Sequence, residues 1–233
     1  MMDDTNEAIR LAKRVADSVP CSRADAERYI AGGWVSVDGA VAEDPAMRVL
    51  PTQDVVLLPN AEAAEPLPVT IILHKPAGLD AAAALALLSA ETQEGRERFL
   101  KRHVAKLTLA TPLADMASGM VVFSQDWRVL RKLLEEGARV EHEYVVEVDG
   151  HVSNEALARL NAPGKTGAAP KTSRQSEARL RIAGKSIRPG QVEAMCKAAG
   201  LTIVGMRRLR IGKVALSSLP VGRWRYVGER ELF

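Results

Sequence analysis

The feature that most constrains the fold is a break in pattern. The stretch "NAEAAEPLP" (Asn60 to Pro68) is rich in Ala, Glu and Pro and has neither strand alternation nor the apolar period of an amphipathic helix. It reads as a linker over residues 61–68. The chain differs in charge on its two sides: residues 1–65 hold 6 Lys/Arg against 12 Asp/Glu, whereas residues 66–233 hold 26 against 17. The reading is a small acidic domain, residues 1–60, followed by a larger basic domain, residues 69–233, with enough hydrophobic sequence for a core in each. A basic excess suits a polyanion-binding surface. It equally suits a basic domain with no such partner.

Several function classes fall away. No apolar run approaches the ~20 residues of a bilayer span, and "MMDDTNEAIR" is acidic where a secretory signal would be basic and then apolar. The expectation is a cytoplasmic protein with no membrane partner. Cys21 and Cys196 have no metal-ligand spacing and read as reduced thiols, so no metal is expected. There is no Gly-rich phosphate loop, no His-rich constellation and no Ser/His/Asp set, so no cofactor is expected either.

In the first domain "NEAIRLAKRVADSV" puts Ile9, Ala12, Val15 and Ala16 on one helical face. A second helix, "SRADAERYIAGG", has Ser22 as N-cap, Asp25 three residues on, and Gly32-Gly33 as its stop. "WVSVDGAVAED" alternates into an Asp38-Gly39 hairpin turn, and "DVVLLP" adds a strand. Over residues 8–58 this order resembles the alpha-L (S-four-like) RNA-binding domain. The resemblance implies that the two helices hold RNA backbone through Arg10, Lys13, Ser22 and Arg23. The module's net charge of −6 requires those cations to share one face; the other reading is a protein-contacting module.

From Val69 the pattern is α+β: the strand "VTIILHK", a helical Ala/Leu segment from about Asp80 to Leu100, a strand after Gly119, and the helix "DWRVLRKLLEEG". Next come the strand "EYVVEVDG", the short helix "NEALARL", a long loop from Asn161 to Glu177, the strand "EARLRIA", the helix "GQVEAMCKAAG" and the strand "LTIVGMRRLRIG". A mixed, largely antiparallel sheet with flanking helices fits this order.

These pieces, following an alpha-L module, resemble the RsuA/RluB branch of ribosomal pseudouridine synthases. The likeness rests on "HKPAG", "SGMVVFSQD", "EHEYVVEVDG", "GQVEAM", "RRLRIGKVAL" and "LPVGRWR" and spans nearly the whole chain. It implies a pseudouridine-synthase-like domain that takes a uridine of RNA, most plausibly ribosomal RNA, without a cofactor and as a monomer. It also implies a flipped base and an aspartate acting at the ribose.

That aspartate belongs to a Gly-Arg-Leu-Asp turn ahead of a Gly-led strand. Aligned on Gly119 and Asp126, the turn here is Thr111-Pro112-Leu113-Ala114, so Ala114 takes the aspartate's place and Asp115 stands one residue late. Consecutive residues of an extended turn point in different directions, so one step moves a carboxylate off its task. Pro112 replaces the arginine, His142 replaces a basic residue, and Glu193 and Ala194 replace paired arginines. Tyr144 is retained, where the family stacks it on the uracil. Two readings follow. One is an RNA-binding member with lost or weakened isomerase chemistry; the other is an active synthase whose nucleophile is Asp115.

The resemblance also assigns RNA contact to Lys75 and to the cluster Arg207, Arg208, Arg210 and Lys213. Each has a plainer reading: Lys75-Pro76 as a strand terminus, Tyr144 as a strand aromatic, and the cluster as a solvated strand face. Trp224 reads as core.

Overall fold

Local sequence chemistry fixes the first unit. The Ser22 hydroxyl accepts the Asp25 N–H at 3.1 Å and starts helix α2 (Arg23–Ala31), which Gly32 closes. Helix α1 (Leu11–Ser18) starts only after a two-residue strand, β1 (Ile9–Arg10), because those residues pair with β4 (Arg48–Val49). Asp38 and Gly39, with φ of 51° and 81°, turn β2 (Val35–Val37) into β3 (Ala40–Ala42). With β5 (Val55–Leu57) these make a three-stranded sheet of order β3-β2-β5. Leu11, Val15, Ile30, Val35 and Val49, none more than 2% exposed, form its core with the two helices.

The computed structural model describes residues 7–162, 170–185, 187–188, 190–228 and 230–233. It divides into Met1–Pro68 with Leu100–Ala105, and Val69–Phe99 with Lys106–Phe233. The short helix α3 (Lys101–Val104) thus belongs to the first unit, where Arg102 donates to the carbonyl of Ala31 at 3.0 Å.

The second unit is built on one sheet. Its strands are β6 (Thr70–Lys75), β7 (Thr108–Leu109), β8 (Ser118–Ser124), β9 (Glu141–Val148), β10 (Lys171–Ser176), β11 (Arg179–Lys185), β12 (Ile203–Ile211), β13 (Val214–Ala215) and β14 (Trp224–Tyr226). The order is β10-β11-β9-β12-β8-β6-β14, with β13 on β12 and β7 on β8. Every pairing is antiparallel except β12 with β8. Helices α4 (Trp127–Leu130), α5 (Asn154–Leu160) and α6 (Gln191–Ala198) complete the unit, and α4 continues into a π-helical turn, Arg131–Glu135. The expected mixed α+β fold is the one observed.

Two local features aim the side chains that matter below. Gly119 has φ 113°, and a Cβ there would lie 2.3 Å from the carbonyl oxygen of Arg208, so only glycine lets β8 run this close to β12. A bulge between Arg208 and Arg210 leaves Arg208 opposite Tyr144 and Arg210 opposite Glu143. Those two positions of β9 face opposite sides of the sheet, so the bulge sends two arginines of equal parity to different faces.

Two segments differ from the sequence reading. The Asp80 to Leu100 stretch is not a helix: it makes 3₁₀ turns at Ala83–Leu87 and Ala90–Thr92. Tertiary anchors override its helix propensity, because the buried Trp224 indole donates to Ser89 O at 2.9 Å and Glu94 N–H donates to Trp224 O at 2.7 Å. The supposed loop from Asn161 to Glu177 contains β10, an edge strand whose polar sequence hides it; residues 163–169 of that expectation lie outside the described residues.

Candidate functional site

A cavity of about 320 Å³ opens in the second unit. The turn Thr111–Ala114 forms one wall, Tyr144 and His142 of β9 its floor with Arg208 beneath, Leu133, Leu134 and Ala138 a second wall, and Arg188, Val192 and Glu193 a third. The sequence explains the placement of each. Tyr144 and His142 alternate onto one face of β9. Glu193 lies in the first turn of α6, which Gly190 initiates in a left-handed conformation (φ 76°).

The Thr111–Asp115 turn is held by two buried cations. Arg208 is 2% exposed; its Nε donates to Met120 O at 2.7 Å, Nη1 to Pro112 O at 3.0 Å, and Nη2 to Thr111 O at 2.7 Å. Thr111 Oγ1 also accepts the Val122 N–H at 2.9 Å, tying the turn to β8. Lys75 is 0% exposed, and its ammonium donates to Leu79 O at 2.6 Å, Pro76 O at 2.9 Å and Asp115 O at 3.1 Å. Burial pushes the Lys75 pKa down, with Asp115 and Asp80 opposing.

Ala114 lines the cavity together with Tyr144, whereas Asp115 does not. Asp115 is exposed, and among the described residues its carboxylate makes no hydrogen bond or ion pair. Its backbone carbonyl, by contrast, accepts both Lys75 and the Gly78 N–H, at 2.7 Å for the latter. The chain therefore fixes this residue by its main chain and leaves the acid outside.

Polar character inside the cavity is modest. The ring centroids of His142 and Tyr144 are 6.4 Å apart, and His142 Nδ1 is buried without a hydrogen-bond partner. Burial, and then the Arg208 charge, lower the His142 pKa from 6.5 to about 4, so the imidazole is neutral at pH 7. Glu193 adds an anion at the rim.

The other sequence-derived residues divide by exposure. Arg207 and Lys213 are exposed and stay available to a phosphate. Lys75, Arg208 and Arg210 are reassigned. The first two are consumed by carbonyls, and Arg210 pairs with Glu141 and, at 2.9 Å, with Glu143, which also accepts Arg181 at 2.7 Å. In the first unit Arg10, Lys13, Ser22 and Arg23 are all exposed. Ser22 is occupied as the α2 cap, and Arg23 sits 3.5 Å from Glu27. Sequence reasoning missed Arg188, which lines the cavity; its signal was the lone basic residue just before the glycine that starts α6.

Comparison with known proteins gives the frame for this geometry. The S4 domain family matches residues 9–56. The chain is 28% identical over 240 residues to the dual-specificity RNA pseudouridine synthase RluF of Escherichia coli (strain K12), covering 97% of this chain and 78% of that protein. It is also 28% identical over 233 residues to an uncharacterized RNA pseudouridine synthase of Aquifex aeolicus (strain VF5), covering 96% and 94%. A crystal structure of pseudouridylate synthase superposes with a TM-score of 0.60 at 20% identity, over 95% of this chain and 96% of that one, and shows the shared fold. Among the described residues no helix is long and apolar enough to cross a membrane. The chain carries an N-terminal S4 domain and is similar along nearly its whole length to RNA pseudouridine synthases of the RsuA/RluB type.

Proposed function

We propose that this protein is an RNA-binding member of its family that engages structured RNA, most plausibly ribosomal, and has lost or severely weakened the isomerase chemistry. The observation that carries this reading is the cavity wall: Ala114 lines it together with Tyr144, while Asp115, the next residue in the chain, is exposed and does not line the cavity. A nucleophile must sit in near-attack geometry to act, and a displacement of about 1 Å already costs on the order of 10²-fold. The neutral His142 and the anionic Glu193 support the same reading, because neither attracts phosphate.

In this proposal the S4-type module, residues 1–60, supplies Arg10, Lys13 and Arg23 to RNA backbone, and the domain from residue 69 supplies Arg207, Lys213 and a cavity able to hold a flipped base against Tyr144. The protein acts as a cytoplasmic monomer, as an RNA-binding or assembly factor. The test is tritium release from ribosomal RNA labelled at uracil C5, beside a binding assay on the same RNA, for wild type, Asp115→Asn and Ala114→Asp. Binding without release by the wild type is expected. Release that Asp115→Asn abolishes would overturn the proposal and make Asp115 the working nucleophile.

A further inference from the structure

The chain has three tryptophans, and they are treated differently. Trp224 is fully buried and Trp34 is part-buried, whereas Trp127 is 66% exposed. A large aromatic left in water is the informative case, since tryptophan is normally highly buried. Among the described residues the Trp127 indole has no hydrogen-bond acceptor and no ring partner. Its backbone is anchored: it is the first residue of α4, whose N-cap Asp126 accepts the Arg128 N–H at 2.9 Å and the Arg128 guanidinium at 2.8 Å.

The same helical element leads to the cavity. α4 runs on into the π-helical turn Arg131–Glu135, where Arg131 and Leu134 are exposed like Trp127 and Leu134 lines the cavity. At no more than 1.5 Å per residue, the seven steps from Trp127 to Leu134 rise at most about 10 Å. At the ~3.4 Å rise of stacked nucleic acid this is about three nucleotides. The element carries Arg128, Arg131 and Lys132 beside Asp126, Glu135 and Glu136. Arg128 is paired with Asp126 and Arg131 with Glu135 and Glu136, while Lys132 has no ion pair among the described residues.

We propose that Trp127 is a stacking platform for a single-stranded nucleobase lying a few nucleotides from the one held in the cavity, with Lys132 on its phosphate. The inference rests on the RNA-binding reading above and adds a second subsite to it. Stacking on a preorganised aromatic is sequence-tolerant, because every base offers a π face. The platform would fix the register of a strand without reading its sequence.

The test titrates full-length protein with a fluorescein-labelled oligouridylate, and separately follows tryptophan emission with unlabelled oligouridylate. Quenching of the wild type is expected, with an affinity about tenfold weaker in Trp127→Ala and largely restored in Trp127→Phe. An unchanged Kd in Trp127→Ala, with the wild type still binding, overturns the platform and leaves the RNA-binding reading standing. That outcome would return this face to a protein contact. If the wild type shows no salt-dependent binding to the oligouridylate or to ribosomal RNA, the RNA-binding reading and the platform fall together. Because Trp127 is exposed, its replacement leaves the core intact, and unchanged thermal unfolding verifies this.

Discussion

The two units use positive charge in opposite ways. In the S4 unit the cations expected to meet RNA stand on the surface: Arg10 and Lys13 are exposed, and Arg23 has only an exposed i,i+4 partner. Around the cavity of the second unit Lys75 and Arg208 are buried, and six carbonyl oxygens take up their donors. The first arrangement keeps charge available for a polyanion at little structural cost. The second converts charge into architecture, pinning the turn that carries Ala114 and Asp115. Whatever the turn does chemically, the cations beneath it are needed, because they hold its fold.

The sharpest way to break this comparison is to remove the buried cations. Arg208→Ala orphans three carbonyls, those of the buried Thr111 and Met120 among them, and opens a cavity under the turn, so a loss of about 3 kcal/mol or more in unfolding free energy is expected from denaturant titration. A loss below about 1 kcal/mol would mean that Arg208 is free for ligand. Lys75→Met keeps the aliphatic stem and drops one ammonium whose burial was itself costly, so a smaller loss of about 1–2 kcal/mol is expected. The two variants also differ in pH dependence. The folded-state pKa of Lys75 lies below its ordinary 10.5, so the unfolded chain binds more protons in that interval and stability rises with pH up to about 10.5. Lys75→Met should lose this alkaline slope, and Arg208→Ala should keep it, since arginine does not titrate there.

The legibility of the sequence follows the same division. Features set by neighbouring residues were readable: the Ser22 cap, the Asp38-Gly39 hairpin, the glycine at 119 and the alternation that marks a mixed, largely antiparallel sheet. Features set by distant contacts were not. The Asp80 to Leu100 run has the composition of a helix, and anchors about 130 residues away, at Arg223 and Trp224, hold it in turns. Arg208 and Arg210 look equivalent until the bulge between them sends one under the turn and the other to Glu143. Lys75 could be read as a strand end or an RNA contact but not as a buried clamp, because the carbonyls that surround it come from a turn 40 residues later as well as from its own. That Ala114 lines the cavity and Asp115 does not agrees with a count back from Gly119 to the turn, four residues before the strand begins.

A third prediction concerns the neutral group in the cavity. The His142 pKa, lowered from 6.5 to about 4, makes the folded protein bind fewer protons than the unfolded chain over that interval. Stability therefore falls as pH drops from 6.5 to about 4, by on the order of 3 kcal/mol from this residue. His142→Phe should flatten that part of the unfolding profile. His103, also near 4, keeps part of the slope in place. The same substitution should leave RNA affinity between pH 7 and 8 unchanged, because the imidazole carries no charge there. A loss of affinity only on raising pH from 6 to 8 would show instead that His142 binds as a cation.

The smallest structural effect should accompany the clearest change in binding. Replacing Arg10 and Lys13 with alanine removes two exposed side chains without orphaning any buried group, so a change in stability within about 0.5 kcal/mol is expected. Arg23→Ala breaks only the exposed pair with Glu27 and should be equally mild. If the S4 unit meets RNA backbone through these residues, each replacement lowers the slope of log K against log salt by about one and weakens binding uniformly across sequences. The buried cations predict the reverse pattern, with large losses in stability and little change in salt slope for the folded fraction. A salt slope that moved with Lys75 and stayed fixed with Arg10, Lys13 and Arg23 would invert the comparison and place the phosphate contacts on the turn.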